Sequence, residues 1–353
     1  MTSPSEVPDA AAAVEVELPD AIGPWLEARV PGFGDYIGSR KFADGQSNPT
    51  YLISTSRGDR VLRAQPPGTL LPSAHRVDRE FRVMRMLATT EFPVPGVLYL
   101  SEGDNPLGRM FYIMERVDGR IFWDPALPGL TPEARAAIYR SMNRTLADLH
   151  AIDPDAVGLG DFGRPGNFME RQTRRWIHQY QASRIDPNPR LESVIPWLLA
   201  NIPADDGRVA IVHGDYRIDN LIFEPGRCEI AAVLDWELST LGHPLADLAS
   251  QCVQLRLPNR GLFMRGLGGV NRGALGIPDE DAYVAGYCRR LKIDKPGNWG
   301  FHTTFSLFRL AAILTGVRRR AHDGNASNPD KAIELAKAIP VLTELALANL
   351  DSL

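Results

Sequence analysis

Cysteine is scarce in this chain of 353 residues: only Cys228, Cys252 and Cys288 occur, far apart and with no C-x-x-C pair. That excludes a disulfide framework and a thiolate zinc site, and leaves each cysteine as a small buried hydrophobe in a reducing cytosol. A cytoplasmic location is therefore expected. Long apolar runs are also missing. No stretch reaches the roughly 18 apolar residues of a membrane span, which argues against a membrane partner. Net charge is -4 and the isoelectric point about 6.0, so there is no basic field to draw nucleic acid. The opening MTSPSEVPDAAAAVEVELPD has no basic start, and its alanine run is soon followed by acids. It reads as a disordered arm over 1–20 and not as a signal peptide. Internal repeats are absent. What remains is a chain with 44% hydrophobic residues, enough for one large core or two smaller ones.

Against this background one stretch carries chemistry. His213-Gly214-Asp215-Tyr216-Arg217-Ile218-Asp219-Asn220 follows the apolar run Val209 to Val212, and Asp235-Trp236-Glu237 follows Ile230 to Leu234. Both polar sets therefore emerge from short buried strands. Phosphoryl transfer needs such a set: a carboxylate to accept a hydroxyl proton, and an amide and second carboxylate to hold magnesium against nucleotide phosphates. The protein-kinase loop places Asn five positions after the catalytic Asp, with a metal-binding Asp on the next strand. Asp215, Asn220 and Asp235 reproduce that order. Asp and Asn also form ordinary turns; the coincidence of His-Gly, two apolar runs and a second strand-end Asp favours chemistry. Asp219 reads as a brace for the loop, His213 as a packed structural histidine, and Asp247 as an acid that ties down backbone N–H groups.

HGDYRIDNLIF and VLDWELSTLGHPLADLA resemble the aminoglycoside phosphotransferase-like superfamily, in particular the kinase domains linked to acyl-CoA dehydrogenases. The resemblance runs from about Ile37 to Leu350. It implies an α+β, protein-kinase-like, two-lobed fold. A small, mostly β N-terminal lobe with one helix would span 21–117, and a larger, mostly helical lobe 118–353. It also implies ATP and Mg2+ as cofactors, with Asn220 and Asp235 as metal ligands. Family position makes Phe42 to Tyr51 a phosphate loop, with Gln46, Ser47, Asn48 and Thr50 as nucleotide contacts; alone, it would read as a hairpin turn. Arg63 stands where protein kinases carry a lysine and can still fork onto phosphate oxygens. Glu80 is its expected partner. Glu115 and Val117 fall on the link whose backbone meets adenine in kinase-like folds.

Periodicity predicts a short helix over Pro24 to Val30 and another over His75 to Ala88, with Val77, Phe81, Met84 and Ala88 on one face. Thr131 caps a helix whose Pro132 opens the first turn and whose apolar face is Ile138, Met142, Leu146 and Leu149. Further helices are expected over Phe168 to Ala182, Leu191 to Asn201, Pro244 to Leu257, Trp299 to Arg320, and Asp330 to Leu350, the last kinked at Pro340. The glycine-rich 261–278 segment reads as a lid or as disorder.

No A-P-E-like segment follows Asp235, so the acceptor is expected to be a small molecule with a hydroxyl group. Arginines dominate the helical insert and the glycine-rich segment. Arg171, Arg174, Arg175, Arg260 and Arg265 are the candidates for a rim that attracts an anionic acceptor such as a hydroxyacyl-CoA, although scattered arginines also make ordinary solvated faces. Three alternatives stay open: an aminoglycoside phosphotransferase; a nucleotide-binding module without catalysis; and a metal-dependent hydrolase with His213, Asp215, Asp219 and Asp235 as ligands. The oligomeric state is not legible.

Overall fold

The structure, a computed structural model, describes residues 18–42, 48–68, 75–164, 166–324 and 328–351. The chain divides into two compact units, one formed by residues up to Asp118 together with Ala232–Glu237, the other by Gly119–Ala231 and Leu238–Leu353. Among the described residues no helix is long and apolar enough to cross a membrane.

The first unit is built on alternation. Helix α1 (Ile22–Arg29) leads into strands β1 (Tyr36–Lys41), β2 (Thr50–Thr55) and β3 (Arg60–Ala64), then helix α2 (Val77–Leu87) and strands β4 (Val97–Ser101) and β5 (Phe111–Glu115). The five strands form one antiparallel sheet in the order β1-β2-β3-β5-β4. Successive side chains point to opposite faces. Tyr51, Ile53, Leu62, Ala64, Phe111 and Ile113 consequently share a buried cluster with Ile22, Leu26, Val30 and Phe33. Leu18, placed in the arm by the sequence reading, is part of that core. The opposite face receives Arg63 and Tyr112, which pair directly across β3 and β5. Helix α2 buries Val77, Glu80, Val83, Met84 and Leu87. The apolar face expected through Phe81 is thus rotated: Phe81 is half-buried, and the glutamate takes the central position.

The second unit is mostly helical. It contains α3 (Pro132–Ala151), α4 (Phe168–Ser183), α5 (Pro189–Glu192), α6 (Val194–Ala200), the short strands β6 (Ala210–Val212) and β7 (Leu221–Phe223), and the start of β8 (Ile230–Val233). After β9 (Thr240–Gly242) come α7 (Leu245–Arg256), α8 (Arg272–Leu275), α9 (Glu280–Leu291), α10 (Trp299–His322), α11 (Pro329–Ala336) and α12 (Ala338–Asp351). Helix α10 is the hub. Its Phe301, Phe305, Phe308 and Ala312, the face expected from periodicity, are buried in one cluster with Ile177, Tyr180, Leu198 and Leu342.

Two helices depart from expectation, and the glycine-rich segment is ordered. The C-terminal helix is not one kinked rod: it breaks at Lys337, and Pro340 lies in the first turn of α12, where its missing N–H costs nothing. Helix α9 was not anticipated, although Asp279 accepts a hydrogen bond from Ala282 N at 2.7 Å as its N-cap. The 261–278 segment is anchored, with Leu267 N on Leu255 O at 2.9 Å and Gly268 N on Leu257 O at 2.7 Å. Gly266 is required there, since a Cβ would fall 2.2 Å from Leu257 O. Thr131 caps α3 as expected, accepting from Ala134 N at 3.3 Å. Thr131→Ala should therefore lower unfolding stability by about 0.5–2 kcal/mol in urea titration. An unchanged midpoint would show the cap to be dispensable.

Candidate active site

In the second unit, the His213 to Asn220 loop leaves β6, all three residues of which are buried. Its first turn is fixed from below by Asp247, on the opening turn of α7 and 1% exposed. Asp247 Oδ2 accepts from His213 N at 2.6 Å and Oδ1 from Gly214 N at 2.8 Å. The same carboxylate lies 3.2 Å from His150 Nε2, and His150 Nδ1 lies 2.6 Å from Tyr287 OH. Burial pushes the Asp247 carboxyl up, but the hydrogen bond and charge of His150 and the backbone donors outweigh it, leaving the group below the ordinary range. Gly214 turns at φ 87°, where a Cβ would meet Leu238 O at 2.6 Å. Only glycine fits.

Asp215 stands just beyond this turn. Its backbone N donates to His213 Nδ1 at 3.2 Å, so His213, fully buried, acts as a brace. Asn220 Nδ2 reaches Asp215 O at 2.9 Å and Asp215 Oδ2 at 3.2 Å across a single 3-10 turn, Ile218–Asn220. The two residues read five apart in the sequence are thereby brought side by side. Arg217 and Asp219 pair with each other, and the Tyr216 hydroxyl donates to Met142 O at 3.0 Å. One neighbour was missed. Arg309 of α10 donates from Nη2 to Gly214 O at 2.9 Å, and its charge is supported by Asp215. The signal was present, since Arg309 is the single Asp, Glu, Lys or Arg between Trp299 and Val317.

In the first unit, Arg63 Nε lies 2.8 Å from Glu80 Oε2 and Nη2 lies 2.7 Å from Asp235 Oδ1. Glu80 is fully buried and is also bound by Tyr112 OH at 3.1 Å and Asn48 Nδ2 at 2.7 Å. Burial opposes the Arg63 charge, yet Glu80 and Asp235 more than offset this and raise its pKa. Burial likewise raises the Glu80 carboxyl, with Arg63 opposing. Asp235 adopts φ 64°, an uncommon conformation that Asp tolerates better than most residues. Trp236 holds that turn: it is buried, donates Nε1 to Val233 O at 3.0 Å and meets the Phe92 ring edge-on at 6.0 Å.

The remaining expected nucleotide contacts are unevenly placed. Gln46 and Ser47 lie outside the described residues. Asn48 is committed inward, with Glu80 on its amide and His75 Nδ1 2.9 Å from its oxygen. Thr50 pairs across the strand with Arg63, whose Nη1 is 3.5 Å from Thr50 Oγ1. Glu115 is exposed and spends its N–H on Gly96 O at 2.8 Å; Val117 is half-buried. Asn220 and Asp235 offer hard oxygen donors, the kind magnesium takes. Among the described residues no three His, Cys, Asp or Glu side chains cluster as a metal site.

The arginine surplus read from the sequence is largely neutralised. Arg174 pairs with Glu170 at 3.0 Å and Arg265 with Asp124 at 3.0 Å, while Arg171 Nη2 donates to Arg164 O at 2.7 Å. Arg184, Arg190 and Arg256 also carry glutamate partners. Arg175 and Arg260 are exposed. A cavity of about 580 Å³ in the second unit is lined by Asn167, Arg174, Arg208, His243, Lys295 and His302, among others. Arg208 precedes β6 and lines this cavity, whereas Asp215 follows the other end of that strand.

The profile of the phosphotransferase enzyme family matches residues 39–285, and the chain belongs to that family. It is 45% identical over 306 residues to acyl-CoA dehydrogenase family member 10 of Mus musculus, covering 87% of this chain. The chain spans only 28% of that relative's length. A solved structure from Ralstonia eutropha, provisionally designated an aminoglycoside phosphotransferase, is 42% identical with a TM-score of 0.83, over 94% of this chain and 98% of that one. Choline kinase from Cryptosporidium parvum, at 12% identity, has a TM-score of 0.61 over 94% of this chain and 95% of its own. At that identity it speaks for the fold alone, which is protein-kinase-like.

The Asp247 bridge makes a prediction independent of any substrate. Asp247→Ala leaves two buried N–H groups without an acceptor, about 1–3 kcal/mol each. Because the folded pKa is lowered, this stabilisation is present above the unfolded value near 3.9 and is lost as pH falls through the folded one. The stability gap between the two proteins in denaturant curves should be wide at pH 7 and begin to narrow as pH falls below about 4. A gap independent of pH would show that the carboxylate charge is not what holds the loop.

Proposed function

We propose that this phosphotransferase moves the γ-phosphoryl group of ATP to a hydroxyl of an anionic small metabolite. The observation that carries the reading is the Asp215 and Asn220 pair, with Asn220 Nδ2 at 3.2 Å from Asp215 Oδ2 in a loop held from within. Asp215 is the base: its carboxylate accepts the acceptor's hydroxyl proton as the oxygen attacks phosphorus. With its amide nitrogen on Asp215, Asn220 offers its oxygen to a metal, and Asp235 offers a carboxylate. Each is an oxygen donor of the kind that would hold magnesium, which would supply neutralisation of the phosphate charge. Arg63, fixed by Glu80, orients the phosphates through donors that a lysine would supply as a point charge. Thr50 and the neighbouring Gln46 and Ser47 serve the phosphate loop, Asn48 braces it from within through Glu80, and the Glu115 carbonyl and Val117 backbone serve adenine.

A hydroxyacyl-CoA-like acceptor is favoured by the 45% identity to a protein named for acyl-CoA dehydrogenation. Arg175 and Arg260 are better candidates for an anionic acceptor than the paired Arg174 and Arg265, or than Arg171, whose guanidinium is turned onto a backbone carbonyl. A metal-dependent hydrolase is disfavoured because His213 is turned inward and Asp219 is paired with Arg217.

Asp215→Ala should lower ATP-dependent phosphorylation of a hydroxyacyl-CoA panel by about a hundredfold to ten-thousandfold while leaving nucleotide affinity nearly intact. Near-normal turnover would remove Asp215 from the mechanism. Asp235→Ala should weaken ATP binding in calorimetry chiefly when magnesium is present. An equal loss with and without the metal would make Asp235 structural.

A further inference from the structure

Arg309 is an unusual residue for its place. It follows Phe308, which is fully buried, on a helix with no other acidic or basic residue between Trp299 and Val317 apart from His302. A guanidinium stays charged in proteins and carries five N–H donors in a fixed fork. The bond to Gly214 O uses one of them. Burial pulls the Arg309 pKa down, the carboxylates of Asp215 and Asp247 support its charge, and Arg175 opposes it. The cation is therefore partly desolvated, close to the proposed base, and near a second cation.

Trp176 links the two. The Arg309 guanidinium lies 5.4 Å from the centre of the Trp176 ring, and that of Arg175 lies 5.7 Å from it. Other arginines of this region, Arg174, Arg184 and Arg190, each have a glutamate partner. Arg175 and Arg309 both lie against one aromatic ring instead. Bringing two like charges onto one ring is unfavourable unless something negative joins them, and stacking on the ring leaves the planar forks able to receive it.

We propose that Arg309, Trp176 and Arg175 form an oxyanion subsite that binds a carboxylate or phosphate of the acceptor whose hydroxyl is addressed by Asp215. The assignment rests on the reading of Asp215 as the base. It adds the residues that select the acceptor and ties their chief member, Arg309, to the catalytic loop through Gly214 O. Binding of the oxyanion to Arg309 and placement of the loop are thus coupled through one guanidinium.

The test compares three acceptors with ATP: 4-hydroxybutyrate, 4-hydroxybutyryl-CoA and uncharged 1,4-butanediol. The wild type should prefer at least one charged acceptor over the diol in kcat/KM, and which one reveals whether the oxyanion is a carboxylate or a coenzyme phosphate. Arg309→Met should lower that preference about tenfold to a hundredfold, mostly through KM, as loss of hydrogen bonds to a charged group predicts. Arg309→Lys should recover part of it. Arg175→Met, on an exposed residue of α4, should lower the same ratio less and guards against misfolding of the Arg309 variant. Turnover of neither charged probe, no preference in the wild type, or an equal loss on all three acceptors in Arg309→Met would overturn the proposal. If Asp215→Ala retained turnover of the probes, the underlying reading would fall. Loss of turnover in Asp215→Ala with an unaltered preference in Arg309→Met would sink the subsite alone.

Discussion

A buried carboxylate that must be satisfied governs the second unit. Asp247 is nearly inaccessible, and an uncompensated charge there would be costly. It is compensated by the N–H groups of His213 and Gly214 and by His150, which in turn meets Tyr287. These partners come from α3, α7, α9 and the end of β6, so the requirement of one acid fixes the relative placement of elements far apart in the chain. The turn it imposes at Gly214 presents Asp215 and lets Asn220 close on it. Rigidity at this point is what the base proposed for Asp215 needs, since misplacement of about 1 Å can cost a hundredfold in rate.

The first unit depends on a similar device of opposite sign. Arg63 is carried on the sheet face away from the apolar cluster, and α2 turns its one buried acid toward it. Tyr112 and Asn48 fill the remaining lone pairs of Glu80. The buried glutamate is thus both ion-paired and hydrogen-bonded, the condition under which a buried ion pair is tolerated. An arginine suits such a site because its fork can serve Glu80 and Asp235 together, which a lysine ammonium would do with less geometric definition.

Charge counting along the chain was a poor guide to the acceptor, and the reason is physical. Arginines close in sequence meet acids from elsewhere: Glu344 reaches Arg190 and Asp124 reaches Arg265. Two arginines, Arg175 and Arg309, instead meet at Trp176. A membership in the phosphotransferase family fixes the type of group transferred and leaves the acceptor to side chains of this kind.

The sequence by itself determined the elements whose signals are local. The His213 to Asn220 loop, the Asp235 strand end, the Thr131 cap, the aromatic face of α10 and the roles of His213, Asp219 and Asp247 all follow from spacing, turn chemistry and apolar runs. Those same motifs were enough to recognise the family and the fold. Tertiary structure decided the rest, because it depends on partners distant in the chain. Only packing rotates α2 so that Glu80 lies inside and Phe81 at the margin. Only packing turns Asn48 inward onto Glu80. The break before α12 arises because a proline is harmless in a first turn, a choice that periodicity cannot see. Arg309 shows the boundary most clearly: its isolation in an apolar helix is written in the sequence, whereas the carbonyl it holds and the ring it shares are supplied by the fold.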